Sequence, residues 1–359
     1  MNPNRHIIEL KESNLQVYPS WKKIFGREAP LYLEIGIGNG EFIVWLAKNH
    51  PEANFIGVEV AKEFFRKALN RVVSANLSNV RLICMEGSKA LCKLFFSQSL
   101  SGLYLNFPDP WAKKKQKKRR LINQAFVWLL ADRLILNGFF IMVTDYKEYA
   151  EEVVNFFLNC PSFCPLWDSV IKNSLPHYYH TKYARKWLSA GLPLFYIGFK
   201  KIKHISIPEW VYTLYPLAKL KGGETLPESV IKINNKLNFF EIAKKFPTGV
   251  IWKSNNEICK IVEIYFNENN IILDLIVIEG FLKQRFFVSI HPHSDGLIIK
   301  IHDSDNPDAT DGVHKALAFL TLYLQKILKS GILLRTNCKS KAFKEIKKLF
   351  PDLSDACNN

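Results

Sequence analysis

Leu31-Tyr32-Leu33-Glu34-Ile35-Gly36-Ile37-Gly38-Asn39-Gly40-Glu41-Phe42-Ile43-Val44-Trp45-Leu46-Ala47-Lys48 changes its period partway along. It opens with an apolar run of strand length, passes through a glycine-rich turn, and continues with Phe42, Trp45 and Leu46 on one helical face. Pro51 ends that helix. The same alternation repeats downstream. Asn54-Phe55-Ile56-Gly57-Val58 reads as a second strand closing at Glu59, followed by a long helix over 62–75. Val80-Arg81-Leu82-Ile83-Cys84 is a third strand and residues 103–107 a fourth. A helix covers 122–134, Phe139-Phe140-Ile141-Met142-Val143 is a fifth strand ending at Thr144-Asp145, and 146–158 is helical again. This regularity predicts an α/β fold, a Rossmann-like parallel sheet with helices on both faces and right-handed crossovers. Ligands of such sheets sit beyond the carboxyl ends of the strands. Glu34, Glu59, Asp109 and Asp145 all fall at or near such ends.

Two kinds of cofactor compete for the glycine turn. A dinucleotide fold wants G-x-G-x-x-G, with the pyrophosphate resting on a helix N-terminus. Here the glycines are Gly36, Gly38 and Gly40, and Glu41 stands where the third dinucleotide glycine belongs. Glu41 and Glu34 would both oppose a pyrophosphate. They suit a ligand that carries a cation, such as the sulfonium and amino group of S-adenosylmethionine. Glu59, at the end of the second strand, can accept hydrogen bonds from both ribose hydroxyls.

The fourth strand delivers one acid to a stiff turn, Asn106-Phe107-Pro108-Asp109-Pro110-Trp111. Two prolines fix φ on either side of Asp109 and hold its carboxylate. Seven of the next nine residues, Ala112 to Arg120, are basic. A positioned carboxylate beside a dense cationic run suits chemistry on a polyanion; a proline turn leading into a solvated basic face is the plainer alternative.

A net charge of +16 over 359 residues points to nucleic acid ahead of an anionic membrane surface. Residues 1–26 have no apolar core like that of a signal peptide. No apolar stretch approaches the roughly 20 residues of a membrane span, so a cytoplasmic protein is expected. Cys84, Cys92, Cys160, Cys164, Cys259, Cys338 and Cys357 are scattered, without CxxC pairs, and read as reduced thiols rather than zinc ligands. His291-Pro292-His293 with Asp295, and the acids Asp303, Asp305, Asp308 and Asp311, read as turn and loop residues, and no metal is expected.

Several of these pieces carry a resemblance. Leu33-Glu34-Ile35-Gly36-Ile37-Gly38-Asn39-Gly40, Gly57-Val58-Glu59-Val60, Phe107-Pro108-Asp109-Pro110-Trp111-Ala112-Lys113, Lys118-Arg119-Arg120 and Thr144-Asp145-Tyr146 occur in order. The chain resembles, over roughly residues 25–200, the bacterial tRNA (guanine-N7-)-methyltransferases of the TrmB type. The resemblance implies a class I methyltransferase fold, S-adenosylmethionine as cofactor, tRNA as partner, and methylation of the variable-loop guanosine, position 46 of tRNA. Glu34, Glu59 and Asp109, with Gly36, Gly38 and Gly40, would then line the cofactor site. Glu86 matches a further cofactor-contacting position, where the family usually has the shorter Asp or Asn; its extra length would crowd the adenine. Lys113 and Asp145 would contact the substrate, as would Thr181-Lys182-Tyr183, which matches the start of the family's T-K-F-E motif. The Glu of that motif is Ala184 here, followed by Arg185, a further substrate-binding candidate, and Lys186. One acidic substrate contact is therefore missing or supplied elsewhere.

Asp109 is the candidate catalytic residue. Guanine N7 offers an in-plane lone pair and carries no proton, so its methylation needs no general base. A carboxylate there accepts hydrogen bonds from guanine N1–H and N2–H and offsets the charge that builds on the ring. Trp111 either stacks on a flipped base or braces the turn. His177-Tyr178-Tyr179-His180 ahead of Thr181 mixes aromatics with a following run of cations, a composition suited to RNA or to an ordinary interstrand loop. Two other readings stay open: methylation of a different RNA base, and an RNA-binding protein that keeps the fold without turnover.

Beyond the closing strand Leu194-Phe195-Tyr196-Ile197-Gly198-Phe199 the alternation stops. Pro208, Pro216, Gly222-Gly223 and Pro227 mark a linker, and strands at 250–252, 259–266, 271–278, 285–290 and 297–301 with a helix at 317–328 indicate a smaller α+β domain. The expected layout is an arm at 1–25, the methyltransferase domain at 26–204, a linker at 205–238, and a C-terminal domain of unknown role at 239–359. The family resemblance is not expected to reach that last domain.

Overall fold

The computed structural model describes residues 5–233, 237–329 and 331–353. The chain divides into two compact units, residues 1–211 and 212–359. Cys357 lies outside the described residues, and the other six cysteines are free thiols.

The strands of the first unit are β1 (Glu9–Leu10), β2 (Leu31–Ile35), β3 (Asn54–Val58), β4 (Val80–Ile83), β5 (Leu100–Asn106), β6 (Leu134–Thr144), β7 (Phe163–Pro165), β8 (Ile171–Lys172) and β9 (Phe195–Lys201). They form one sheet in the order β1-β4-β3-β2-β5-β6-β9-β7, with β8 also paired to β9. Pairing is parallel from β1 through to β6. The expectation of an all-parallel sheet is corrected at one edge, where β9 is antiparallel to both β6 and β7. The helix Lys147–Leu158 carries the chain past an empty slot to β7, and β9 fills that slot by running back. A returning strand needs no crossover helix, so antiparallel pairing is the short route.

Strand β3 is buried at every residue because helices cover both faces. Phe42, Ile43 and Leu46 of the helix Glu41–Asn49 pack with Phe65, Leu69 and Val72 of the helix Lys62–Ser74 over Phe55 and Leu82. Residues 5–25, read from the sequence as an arm, supply strand β1 and a helix, Trp21–Phe25. The Trp21 indole N–H donates to the Leu94 carbonyl at 2.9 Å. The helix Gly87–Leu94 had no sequence expectation, and β6 begins at Leu134, within the stretch expected to be helical.

The second unit holds β10 (Glu228–Lys232), β11 (Gly249–Lys253), β12 (Glu257–Phe266), β13 (Ile271–Glu279), β14 (Leu282–His293), β15 (Gly296–Ile301) and β16 (Ile332–Thr336). They make an antiparallel sheet in the order β11-β12-β13-β14-β15-β10-β16. β10 lies in the stretch read as linker, where Pro227 just before a five-residue strand hid its signal. The helix Asp311–Leu328 lays Val313, Leu317, Leu320 and Leu324 on this sheet's core. Asp303 pairs with Lys300, Asp311 with Lys339, and Asp305 accepts the Phe287 N–H. Among the described residues no cluster of three or more His, Cys, Asp or Glu could hold a metal, and no helix is long and apolar enough to cross a membrane.

One glycine of the organising turn serves packing. Gly40 has φ +78°, and a Cβ added there would meet the Ala68 backbone of the neighbouring helix at 2.9 Å. Gly40→Ala is expected to destabilise the first unit by about 2–4 kcal/mol, from left-handed strain plus overpacking. Chemical denaturation of the full chain measures this; a loss under about 1 kcal/mol would mean that the two helices separate freely at this point.

Candidate active site

The strand order reverses between β2 and β5, so the chain leaves these neighbouring strands in opposite directions and opens a crevice at their carboxyl ends. A cavity of about 810 Å3 fills it. Of the residues singled out in the sequence, Glu34, Gly36, Gly38, Glu59, Glu86, Asp109, Thr181, Lys182 and Tyr183 line this cavity. Gly40, Lys113, Asp145 and Arg185 do not.

Glu34, next to last in β2, is 3% exposed. Its Oε1 accepts a long hydrogen bond, 3.4 Å, from Asn106 Nδ2, and its buried Oε2 has no partner. Burial pushes this carboxyl up to about 8, the Asn106 contact opposes the rise, and the Glu59 charge adds to it. Asn106 Oδ1 in turn accepts from the Tyr178 hydroxyl at 2.9 Å. Sequence reasoning assigns Asn106 no role in the site, although a polar residue ending an apolar strand is a visible signal, and it reads Tyr178 only within a stretch suited to RNA or to an ordinary loop.

Gly36 and Gly38 adopt φ of +73° and +52°, and no atom lies within 4 Å of where a Cβ would stand. The turn therefore presents bare backbone to the cavity. Glu59 holds it in place: one carboxylate oxygen accepts the Gly38 N–H at 3.0 Å and the other the Ala61 N–H at 2.9 Å. Each oxygen keeps a lone pair for a ligand. Glu86 caps the helix Gly87–Leu94, accepting from the backbone N–H groups of Ser88 and Lys89 and from the Ser88 hydroxyl. Its carboxylate is thus folded onto the helix end, as an N-cap favours.

The Pro108-Asp109-Pro110 turn is held by more than its prolines. Phe107 and Trp111 both sit in the left-handed region, at φ +51° and +40°, which costs bulky residues roughly 1–2 kcal/mol each. Phe107 is fixed by its N–H to the Val143 carbonyl and by packing on Tyr183, ring centroids 4.8 Å apart. Trp111 lies under the Arg119 guanidinium at 5.1 Å. Between these two residues the Asp109 carboxylate is exposed and makes no hydrogen bond or ion pair among the described residues.

The basic run divides. Lys113, Lys114, Lys115, Lys117, Lys118 and Arg119 are exposed, whereas Arg120 is 5% exposed. Arg120 donates to the Pro110 carbonyl at 2.7 Å, pairs with Glu152 and stacks over Tyr149. Read as a cationic run open to a polyanion or to solvent, the stretch is corrected at Arg120, whose burial makes it a brace for the turn. Tyr178 and Tyr179 are likewise spent on packing, against Phe42 at 5.0 Å and Trp45 at 5.7 Å.

Thr181 caps the helix Lys182–Ser189, accepting the Ala184 N–H. Ala184 is 2% exposed, enclosed with Val143, Leu194 and Tyr196. An acid could not ionise there without a partner. Tyr183 donates to Asp145 Oδ2 at 2.8 Å, and the burial of Tyr183, with that carboxylate beside it, pushes its phenol up to about 12. Apolar cavity walls come from Val60, Phe64, Met85 and Leu121. The adjacent Phe64-Phe65 was their one visible trace, since a helix can turn only one of two neighbours to the core.

Residues 28–197 match a family model described as a putative methyltransferase. The tRNA (guanine-N(7)-)-methyltransferase of Thermotoga maritima is 30% identical over 313 residues, covering 86% of this chain and 94% of that protein. The enzyme of the same name from Coprothermobacter proteolyticus is 29% identical over 315 residues, 87% of this chain and 91% of its own. That from Thermus thermophilus is 34% identical over 212 residues, 59% of this chain and 67% of its own. Alignments covering 86% and 87% of 359 residues run well into residues 212–359, which corrects the expectation that the likeness stops near residue 200. A crevice at the strand-order reversal, lined by Glu34, Gly36, Gly38, Glu59 and Asp109 of the expected motifs, agrees with these alignments: the chain belongs to the tRNA (guanine-N(7)-)-methyltransferase family.

Proposed function

We propose that this protein is an S-adenosylmethionine-dependent methyltransferase that forms 7-methylguanosine in tRNA, at the variable-loop guanosine (position 46), in the cytoplasm. The observation that carries this reading is the meeting, in one cavity, of a buried carboxylate oxygen without a partner on Glu34 and the unengaged carboxylate of Asp109.

The residues present fit the cofactor. Glu34 Oε2 is an acceptor that needs a cationic donor, and the amino group of S-adenosylmethionine is one. Gly36 and Gly38 leave room for close approach, and Glu59 has lone pairs for ribose hydroxyls. Glu86, capping its helix, stands at the apolar wall made by Val60, Phe64 and Met85, which suits a purine face. When bound, this cofactor supplies an electrophilic methyl group on a sulfonium.

The chain's own part is alignment and charge. Guanine N7 attacks with its lone pair, so the protein removes no proton beforehand and must hold the base in line. Asp109, on a turn fixed by two prolines, two left-handed residues and Arg120, accepts from the N1–H and N2–H edge and offsets the positive charge left on the purine. Tyr183 and Trp111 offer aromatic faces at the cavity, and Asp145 reaches the substrate through or beside Tyr183. Residues 1–211 carry 29 Lys and Arg against 17 Asp and Glu, and the six exposed cations at 113–119 are the densest part of that excess. These are the phosphate contacts.

An unmodified tRNA transcript incubated with the protein and labelled S-adenosylmethionine is expected to yield 7-methylguanosine at position 46 on nucleoside analysis and site mapping. Another methylated nucleoside would make it an enzyme for a different base, and no methylation with tight tRNA binding would make it a non-catalytic binder. Asp109→Ala should lose at least about a hundredfold in turnover, while tRNA affinity stays within about threefold of wild type. Unchanged turnover would remove Asp109 from the chemistry. With about five phosphates neutralised, the log–log salt slope of tRNA binding is expected near −3.5 to −4.5, and Lys114→Ala/Lys115→Ala/Lys117→Ala should flatten it by about 2–3. A slope that the triple variant leaves unchanged would move the phosphate contacts elsewhere.

Glu34 gives a pH-dependent test. Its folded value, about 8, lies above the usual 4.5. The folded free protein thus binds the proton more tightly than the unfolded chain, so stability is fullest below pH 4.5 and declines as pH rises toward 8. Glu34→Gln should abolish that decline, making the variant more stable at pH 8 by on the order of a few kcal/mol, yet weaken cofactor binding at least about tenfold. Denaturation across pH and calorimetric titration measure both; a variant that binds cofactor as wild type does would contradict the role given to Glu34.

A further inference from the structure

Glu41 begins the helix that follows the glycine turn, but it is absent from the cavity wall. Its side chain is only about one-tenth exposed, and both oxygens are engaged. Oε1 accepts from Asn39 Nδ2 at 3.3 Å and stands 3.9 Å from the Arg71 guanidinium. Oε2 accepts the backbone N–H of Lys182 at 2.7 Å and a weaker bond, 3.4 Å, from Arg185 Nη2. Lys182 is the first residue of the helix Lys182–Ser189, and its N–H is one that no turn of the helix can satisfy. A carboxylate there gains a charge-assisted hydrogen bond and a favourable helix dipole together.

The two ends of this contact belong to different walls of the cavity. Asn39 lines the cavity from the glycine turn, and Thr181, Lys182, Tyr183 and Lys186 line it from the helix Lys182–Ser189 and its cap. The helix Lys182–Ser189 is otherwise anchored by Ala184 in its apolar pocket, by Tyr183 on Asp145 and Phe107, and by Arg185 over the Tyr179 ring. Ala184 and Tyr183 hold it toward β5, β6 and β9, and Arg185, Glu41 apart, reaches the helix Glu41–Asn49 through the ring of Tyr179 on Trp45, not at the glycine turn. Glu41 ties it there.

We propose that Glu41 is a positioning residue that couples the cofactor half of the cavity to the substrate half, setting Lys182 and Tyr183 at the height from which they meet RNA. This rests on the functional reading above, in which the glycine turn holds the cofactor and the helix Lys182–Ser189 faces the substrate. With Glu41 in place, ordering of the glycine turn also orders the substrate wall. Without it the cofactor still has Glu34, Glu59 and the glycine backbone, but the Lys182 N–H loses the carboxylate that holds it.

Full-length wild type, Glu41→Ala and Glu41→Gln test this through three readouts: S-adenosylhomocysteine affinity without RNA, kcat and KM for a tRNA transcript, and amide exchange of residues 181–185. For Glu41→Ala, kcat/KM for tRNA should fall at least about tenfold, cofactor-product affinity should stay within about threefold, and exchange at 181–185 should quicken. Glu41→Gln keeps an oxygen for the Lys182 N–H and should recover much of the loss. Unchanged kcat/KM in Glu41→Ala overturns the proposal, as does a loss of cofactor-product affinity as large as the loss of turnover. Wild type without tRNA turnover would instead sink the functional reading, and amide exchange would still report whether Glu41 holds the helix.

Discussion

A carboxylate sealed at the end of a central strand without a cation of its own is the constraint on which the first unit's site depends. Glu34 lies where both faces of the sheet are covered, and a second carboxylate, Glu59, stands close enough to raise its proton affinity further. No cation among the described residues pairs with it: Asn106 offers one long hydrogen bond, and the remaining oxygen is bare. A buried acid left like this is costly as a structural element, and hydrophobic packing could have filled the position at less expense in free energy. The arrangement makes physical sense when the missing positive charge arrives with a ligand. The strand-order reversal beside β2 supplies the opening through which it can arrive.

Asp109 shows the opposite solution to holding an acid. It is exposed, and its position is imposed through the backbone rather than through partners. Two prolines, two left-handed aromatic residues and the Arg120–Pro110 bond fix a turn whose strain is offset by ring packing on either side. A carboxylate with no hydrogen bond of its own is free to use all its acceptor capacity on a base edge. Rigid backbone and an unengaged side chain together are what a group that must recognise two N–H donors requires. Arg120, although part of the densest cationic run, is spent on that rigidity.

Much of this was legible in the sequence because it is written in local signals. The change of period at Gly36 to Gly40, the acids at strand ends and the Pro-Asp-Pro turn each need only a few neighbouring residues to be read. What escaped depends on partners distant in the chain. Glu41 reads as an acid that opposes a pyrophosphate and suits a cation-bearing ligand, yet it is bonded to Lys182, 141 residues on. Tyr178 and Tyr179 read as RNA contacts, but two aromatic residues of the helix Glu41–Asn49 claim them. The antiparallel strand β9 could not be told from a parallel one, because both are buried apolar runs and direction leaves no mark on composition. Short elements were lost too: β10 is five residues behind a proline, and it belongs to a sheet whose other strands lie downstream.

The division of charge between the units bears on what each contributes. Residues 212–359 hold 20 Lys and Arg against 16 Asp and Glu, so the chain's excess of +16 belongs mostly to the first unit. Several of the second unit's cations are already committed internally. Lys315, 5% exposed, is shared between Glu257 and Glu345; Lys339 pairs with Asp311, and Arg285 with Asp274. A surface whose charges pair among themselves releases few counterions on meeting a polyanion, and counterion release is the main source of sequence-independent RNA affinity. The six exposed cations at 113–119 and the cavity rim at Lys182 and Lys186 lie in the first unit beside the proposed chemistry. On the proposed reading, electrostatics favours a grip on RNA by the same unit that carries the candidate cofactor cavity. The second unit, shared with relatives that align over most of both chains, is distinguished instead by an apolar core of its own, the mark of a separate domain.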